Sequence, residues 1–448
     1  MKRTLIRSTI VAALGSLLFG FDTAVISGTT DWLQEVFNLT SFELGFTVAS
    51  ALIGTIVGAL TIGRPSDKYG RRNILFLLAV FYFISALGSA LAMNWVSFLI
   101  FRLIGGIAVG GASVVSPMYI AEISPAKQRG RLVAVAQLNI VIGMLLAYLS
   151  NYLIASLELG AIEWRWMLGV EAIPAICFFL LLFASPRSPR WLVAQARIEE
   201  AKDVLEKCGS DLDNIDMEIE KIQQSLHLEK HSLKEPFFVK KYRTPIFLAI
   251  IIALFNQFSG INAVLYYAPH IFKMAGFAKS AALLNSMGVG GVFFIFTIAA
   301  MAVIDKLGRK KIMIAGSIGY IVSLATISWA FFTYGTNFTD AGSNVVLISV
   351  FVFIASHAFG QGSVIWVYLS EIFPNRVRAR GQSLGSTTHW IAAALISWTF
   401  PLIAEVSGGY TFAVYAGFMV LQLIWVLVKM IETKGFSLED IQKKMNIE

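Results

Sequence analysis

Three charged residues lie within long apolar stretches of this sequence, namely Asp22, Arg102 and Glu171. A carboxylate that faces a guanidinium can exchange that contact for a proton, which links protonation to a change in structure. An ionised side chain at the centre of a membrane costs roughly 2.5–3.5 kcal/mol on insertion scales, so residues of this kind are candidates for function. We predict that the three residues form a proton-coupling cluster. A buried ion pair with a purely structural role is the alternative.

A second set of residues, polar and aromatic, occurs in other apolar stretches. Amide side chains donate and accept hydrogen bonds, which suits the hydroxyls of a sugar, and a tryptophan face suits the C–H face of a sugar ring. Gln257 and Asn262 flank Ser259-Gly260, where the glycine can break a helix as it does in the binding sites of transporters. Polar contact between helices could explain any one of these residues, and for His389 a core position remains equally open. The candidate ligand contacts are Gln137, Asn256, Gln257, Asn262, Trp366, His389 and Trp390.

Helices that cross a membrane must position these residues. Of the 448 residues, 56% are hydrophobic and only 14% are charged, which excludes a soluble protein of this length. About twelve apolar runs can cross a hydrocarbon layer of roughly 30 Å, and they are continuous and not alternating, which indicates helices and not barrel strands. The predicted fold is an all-α polytopic membrane protein. Its spans cover about 10–30, 45–63, 73–93, 98–120, 133–154, 166–184, 245–268, 281–303, 312–333, 345–369, 382–404 and 411–430.

The basic residues predict the orientation of these spans. The formal net charge is +8, and Lys and Arg gather in alternate loops such as 64–72 and 306–311, whereas the other loops contain few. This asymmetry follows the positive-inside rule and does not describe a nucleic-acid-binding surface. We therefore expect a lipid bilayer and no nucleic acid as partner, a plasma-membrane location (the inner membrane in a bacterium) and two cytoplasmic termini.

Two short motifs occur twice along the chain. Asp67-Lys68-Tyr69-Gly70-Arg71-Arg72 matches Asp305-Lys306-Leu307-Gly308-Arg309-Lys310, and Glu122-Ile-Ser-Pro125 matches Glu371-Ile-Phe-Pro374. Near-constant offsets of this kind indicate a duplicated membrane domain. The segment between the halves has apolar residues at helical spacing, which predicts short amphipathic helices, with a disordered linker as the alternative. The expected domains are six-helix bundles at 1–186 and 244–431, a cytoplasmic helical linker at 187–243 and a cytoplasmic tail at 432–448.

Several strings beyond these loops are specific to one family. They include Ser188-Pro-Arg-Trp-Leu192, Gln257-Phe-Ser-Gly-Ile-Asn262-Ala-Val-Leu-Tyr266-Tyr267 and Glu432-Thr-Lys-Gly435. Through them the chain resembles, over essentially its whole length, the sugar porter family of the major facilitator superfamily. That family includes bacterial xylose– and glucose–proton symporters and facilitative glucose transporters. The resemblance implies two pseudo-symmetric six-helix bundles that alternate access to a site near the middle of the membrane.

The same resemblance implies a function. We expect a secondary active transporter that imports a monosaccharide, either a pentose or a hexose, together with a proton. It would act as a monomer, without enzymatic activity, cofactor or metal. An uncoupled sugar facilitator is the main alternative, followed by a non-transporting sugar sensor and a polyol or inositol porter.

Individual residues also match positions of known role in that family. Asp22 and Arg102 match the proton-coupling pair of the symporters. The positions that match sugar contacts are Gln137, Gln257, Asn262, Tyr266, Trp366, His389 and Trp390. A cytoplasmic gate network of paired acids and bases would comprise Asp67, Arg71, Arg72, Glu122, Arg129, Arg190, Asp305, Arg309, Glu371, Arg378 and Glu432.

Some positions depart from the family pattern. Asn256 replaces a glutamine, Phe293 replaces an asparagine, and His389 stands where glutamine or asparagine is typical. Gly362-Ser363 replaces a Gly-Pro pair in the tenth span, and we expect the loss of proline to stiffen that helix. The pocket is therefore expected to be less polar than in relatives, and the sugar of any one relative cannot be transferred to this chain.

Overall fold

The chain folds almost entirely into helices. The computed structural model describes residues 3–125, 128–209, 215–232, 235–374, 376–436, 438–445 and 447, without the side chains of 129–130, 228–232 and 438–439. The α-helices are α1 Arg3–Val25, α2 Thr30–Val36, α3 Ser41–Thr61, α4 Gly63–Tyr69, α5 Arg71–Leu91, α6 Trp95–Ile123, α7 Arg129–Ala155, α8 Glu163–Gly169, α9 Ala172–Leu182, α10 Pro189–Ala194, α11 Ile198–Cys208, α12 Ile215–Ser232, α13 Arg243–Phe258, α14 Ile261–Met274, α15 Lys279–Leu307, α16 Arg309–Tyr334, α17 Asp340–Phe359, α18 Gln361–Glu371, α19 Arg378–Val406, α20 Gly408–Val428 and α21 Leu438–Lys444.

The helices provide twelve candidate membrane spans within the described residues. This number confirms the predicted all-α polytopic fold. Among the described residues, three of these spans each contain two α-helices. The sixth, Gly160–Leu182, contains α8 and α9. The seventh, Lys240–Met274, contains α13 and α14, and the tenth, Asp340–Glu371, contains α17 and α18.

The seventh span breaks at Gly260, as the sequence predicts. Gly260 has φ 82° and ψ 14°, a left-handed conformation that glycine adopts without the strain of a side chain. A Cβ at this position would also lie 2.5 Å from the ring of Tyr415 on α20. The break turns the amides on either side of it toward one another.

The tenth span is interrupted at Gly360, which has φ −88° and ψ −104°. The helix breaks three residues before Ser363 although no proline is present, and the expected stiffness of this span stays a prediction. A close backbone contact takes the place of proline, since a Cβ on Gly360 would lie 2.9 Å from the Cα of Gly316 on α16.

The two repeated loops have the same backbone conformation. Gly70 has φ 87° and ψ 148°, and Gly308 has φ 90° and ψ 161°. Each glycine ends one helix and precedes the arginine that begins the next. Because side chains disfavour positive φ, the glycine of the motif allows this sharp turn in both halves.

Contacts divide the chain into two compact units. The first contains residues 1–23, 53–147 and 165–235, and the second contains 24–52, 148–164 and 236–448. The second unit therefore combines the later half of the sequence with the ends of helices from the earlier half. The sequence repeat and the contact units do not have the same boundaries.

The segment between the sequence halves forms helices α10, α11 and α12. Ile215 and Ile219 are buried, and Ile222 and Leu226 pack against the same core of the first unit. These apolar side chains attach the helices of the segment to the first unit.

Candidate functional site

A buried ion pair joins α1 to α6 in the first unit. Nη1 of Arg102 lies 2.6 Å from Oδ1 of Asp22, and Nη2 lies 3.3 Å from Oδ2. The two residues are only 1% and 2% exposed. Gly105 makes room for them, because a Cβ there would lie 2.3 Å from Oγ of Ser85 and 3.5 Å from Oδ1 of Asp22. A two-pronged contact of this kind stabilises the fold only while both groups are ionised.

Glu171 lies close to this pair. It immediately precedes α9 and is 2% exposed, and both Asp22 and Arg102 interact with it electrostatically. Within the described ranges, no group donates a hydrogen bond to its Oε1 atom. The structure thus places the three predicted residues together, with Asp22 and Arg102 in direct contact and Glu171 beside them.

A cluster of amides surrounds the break between α13 and α14 in the second unit. Nε2 of Gln257 donates to Oδ1 of Asn256 at 2.9 Å and lies 3.2 Å from each ring nitrogen of His389. Oε1 of Gln257 accepts a hydrogen bond from Nδ2 of Asn262 at 2.8 Å. Gln257 is therefore the centre of a buried group of donors and acceptors that could exchange neighbours for sugar hydroxyls.

Aromatic rings adjoin the amide cluster. The ring of His389 lies 5.1 Å from that of Trp366 on α18 and 4.9 Å from that of Trp390. His389 thus contacts the predicted ligand residues and is not isolated among apolar side chains. Tyr266 is buried on α14. Gln137 belongs to the first unit, where its side chain is exposed on α7.

The loop motif of the first half forms an ionic network. Nη2 of Arg71 lies 2.9 Å from Oε1 of Glu122, and Nη1 lies 2.9 Å from Oδ1 of Asp67. Ser188, at the start of α10, donates a short hydrogen bond to the other oxygen of Glu122. Arg190 interacts electrostatically with Glu122 and donates to Ser225 at 3.2 Å. The loop motif, helix α6 and the linker are therefore joined by contacts with the Glu122 carboxylate.

The second half repeats this arrangement. Arg309 makes a two-pronged contact with Glu371, at 2.7 and 3.1 Å, and its Nη1 lies 3.1 Å from Oδ1 of Asp305. Thr433 donates to Glu371 at 2.6 Å, in the place that Ser188 takes in the first half. The correspondence shows that both copies of the motif bring an arginine to the acid of the Glu-Ile-x-Pro sequence.

Glu432 belongs to this network through the backbone. Its carboxylate accepts 3.0 Å hydrogen bonds from the N–H groups of Arg309, Lys310, Thr433 and Lys434. Burial alone would raise the pKa of the Glu432 carboxyl, but these four donors outweigh burial and lower the pKa. The acid therefore caps the start of α16 as an anion.

Two arginines of the predicted network do not pair with acids in the part of the chain that the structure describes. Nε of Arg378 donates to the carbonyl of Phe373 at 3.4 Å, because Arg309 and Thr433 already occupy Glu371. Arg72 donates to the carbonyls of Leu182 and Phe183 at the end of α9. The side chain of Arg129 lies outside the described residues.

Charged residues at the opposite ends of the helices are a feature that sequence reasoning missed. Lys273 makes a short ion pair with Asp31 of α2, and His270 lies 3.4 Å from the same carboxylate. Although burial would raise the pKa of Asp31, contact with His270 and Lys273 holds it well below its ordinary range. In the sequence, the only sign of these contacts was that the loops on this side of the predicted membrane contain few basic residues.

Glu163 forms a second ion pair in the same region. It lies 2.8 Å from Nζ of Lys279 and accepts a hydrogen bond from Nε1 of Trp32 at 3.1 Å. The Lys279 ammonium also lies 4.4 Å from the centre of the Trp32 ring. These residues adjoin a cavity of about 210 Å³ that Asp31 and Lys273 also line. Among the described residues, no group of three or more His, Cys, Asp or Glu could hold a metal ion.

Comparison with known proteins identifies similar sequences and structures. A family model described as "Sugar (and other) transporter" matches residues 8–445. The D-xylose-proton symporter of Escherichia coli strain K12 is 38% identical over 97% of this chain and 94% of its own length. The D-xylose transporter of Levilactobacillus brevis is 40% identical over 96% of this chain and 93% of its own length. The inward open structure of the E. coli xylose transporter XylE aligns with a TM-score of 0.86 and 37% identity, over 98% of this chain and 99% of that one.

Proposed function

The chain belongs to the sugar (and other) transporter family, and we propose that it imports a monosaccharide together with a proton. It is a multi-pass membrane protein and a transporter, not an enzyme. The observation that carries the proposal is the buried two-pronged pair of Asp22 and Arg102, because an uncoupled facilitator has no need of a carboxylate at that depth.

Proton coupling follows from the chemistry of this pair. When Asp22 takes up a proton, the charge that attracts Arg102 disappears and one of the two oxygens becomes a donor. The guanidinium must then find another partner, and Glu171 is the nearby acid that could provide one. Protonation of Asp22 would thus transfer the contact of α6 from Asp22 to Glu171. This change in helix contacts would couple proton uptake to alternating access.

The amide cluster is the proposed sugar site. Gln257 can offer its Nε2 donors to sugar hydroxyls if Asn256 and His389 release them, and its Oε1 acceptor if Asn262 releases it. The Trp366 ring would cover one face of the sugar. The sugar is proposed to be a pentose or a hexose, and D-xylose is the first one to test because two of the similar proteins are named for it. Tyr266, Asn262 and Trp390 complete the proposed set in the second unit, and a sugar contact by Gln137 of the first unit stays a separate prediction.

The ionic networks around Glu122 and Glu371 are proposed to be a cytoplasmic gate. The positive-inside distribution of Lys and Arg supports a cytoplasmic position for their loops and for both termini. Each network joins a loop motif to the linker or the tail, so movement of the helices would break several charged contacts together. We expect the protein to work as a monomer in the lipid bilayer of the plasma membrane.

The Asp22→Asn variant tests proton coupling. Asparagine keeps the size of the side chain but cannot exchange a proton, so accumulation of D-xylose against its gradient should stop, while exchange of labelled for unlabelled D-xylose should continue. The measurements are uptake and counterflow in right-side-out vesicles with an imposed pH gradient. Asp340→Asn, at an exposed acid on α17, is the control and should leave uptake unchanged. Continued accumulation by Asp22→Asn would refute the coupling role.

A further inference from the structure

A chain of buried polar side chains connects three spans of the second unit. The hydroxyl of Tyr320 lies 2.5 Å from Nδ1 of His357 and donates to Oε1 of Gln361 at 3.4 Å. Nε2 of Gln361 donates to Oε1 of Gln422 at 2.5 Å, and Nε2 of Gln422 donates to Oγ of Ser317 at 2.8 Å. These five residues come from α16, α17, α18 and α20, and we call them the Tyr320 network.

Such a network is costly unless every member is satisfied. Ser317, Tyr320, Gln361 and Gln422 are at most 1% exposed, and His357 is 6% exposed. In a membrane interior no water is at hand to replace a missing partner, so removing one group leaves another unsatisfied. The ring of Phe293 packs against His357 at 5.7 Å and helps to enclose the network. The side chains therefore hold one another in a single arrangement.

The network surrounds the break in the tenth span. His357 lies three residues before Gly360, and Gln361 lies directly after it, so one member is on each side of the interruption. Tyr320 binds both of them and lies one turn along α16 from Gly316, which touches Gly360. A Cβ on Gly362 would come within 2.9 Å of the His357 ring. With no proline present, these contacts determine the angle between α17 and α18.

The angle at this break sets the position of the proposed sugar site. Trp366 follows Gln361 by five residues on α18, a rise of about 7.5 Å at 1.5 Å per residue. A 10° change in the direction of α18 would therefore move the attachment point of Trp366 by about 1.3 Å. Displacements of about 1 Å in positioning residues are enough to weaken recognition strongly.

We propose that the Tyr320 network is a positioning network that fixes the angle of the tenth span and thereby holds Trp366 against the sugar. Tyr320, His357 and Gln422 would act through Trp366 and need not contact the sugar themselves. The proposal rests on the proposed function for the identity of the ligand, but the position of Trp366 can be measured without any ligand.

Two variants test the positioning role. Tyr320→Phe removes one hydroxyl and keeps the ring, and Gln422→Met removes the amide at the far end of the network with little change in size. Ser323→Ala is the matched control, because Ser323 is a buried hydroxyl on the same helix, and its hydrogen bonds within the described residues go to carbonyls of that helix. Full-length protein is labelled with 5-fluorotryptophan, and the ¹⁹F resonance of Trp366 is the one missing from Trp366→Phe. The dissociation constant of D-xylose is measured in parallel by calorimetry.

In both network variants we expect the Trp366 resonance to shift or broaden without ligand. D-xylose should bind about fivefold to tenfold more weakly, because the displaced Trp366 ring loses part of its contact with the sugar. Ser323→Ala should change neither. An unchanged Trp366 resonance in a folded Tyr320→Phe protein would overturn the proposal, even if affinity falls. Failure of the wild-type protein to bind any monosaccharide would instead refute the proposed function, and the resonance would still decide the positioning role.

Discussion

Replacing Asp31 by asparagine should loosen the contact between α2 and α14. The carboxylate of Asp31 holds both Lys273 and His270, and asparagine would keep a hydrogen bond but lose the charge. The side chains of Asp31 and Lys273 are 38% and 33% exposed, so water can solvate the released ammonium. The cost should therefore be nearer to that of a surface pair than to the 3–5 kcal/mol of breaking a fully buried one.

We expect a loss of about 1 kcal/mol, which corresponds to about a fivefold rise in the population with this contact open. The reporter is Ser27→Cys, since Ser27 is buried and lines the adjoining cavity. Cys177 and Cys208 are replaced by alanine, and the rate of labelling by a membrane-impermeant maleimide is measured in intact cells. Under conditions where labelling is slow compared with closing, so that the rate follows the open population, Asp31→Asn should label about five times faster.

Glu35→Gln provides the control, because Glu35 is an exposed acid on the same helix and also lines the cavity. It should leave the labelling rate unchanged. If Asp31→Asn and Glu35→Gln label at the same rate as the parent, the ion pair does not hold α2 to α14. A fivefold rise in both would show that the net charge of the region matters and that the specific contact with Lys273 does not.

Two further predictions concern the networks and the sugar site. Since the pKa of Glu432 is lowered in the native protein, the stability that its carboxylate contributes is present above the ordinary carboxyl pKa and is lost as pH falls through the native pKa. Glu432→Gln should therefore unfold at a lower temperature than wild type at pH 7, and the difference should shrink below about pH 4. The measurement is thermal unfolding in detergent, with Asp340→Asn as control. Gln257→Ala should weaken D-xylose binding about tenfold or more, because several hydrogen bonds are lost. Thr388→Ala removes a hydroxyl that, among the described residues, bonds to a carbonyl of its own helix α19, and this variant should bind D-xylose normally. Equal affinities of the two variants would exclude Gln257 from the site.

The number of membrane spans, the duplication and the candidate buried charges could all be predicted from the sequence. The reason is that each of these features depends on a free-energy cost that is local in the sequence or adds up over neighbouring residues. An apolar run of sufficient length crosses a membrane wherever it occurs, and Asp22 or Arg102 within such a run must find a partner. The break at Gly260 was predictable in the same way, since glycine tolerates a conformation that other residues avoid.

The choice of partner among several possible ones was decided only by the tertiary structure. Arg309 occupies the acid that Arg378 was expected to share, and Asp31 meets a lysine 242 positions away in the chain. The tenth span breaks without proline at Gly360, where Gly316 of α16 approaches closely and Tyr320 bonds to Gln361. Hydrogen bonds and ion pairs depend on distances of a few tenths of an ångström between distant segments, and the residue types alone do not contain that geometry.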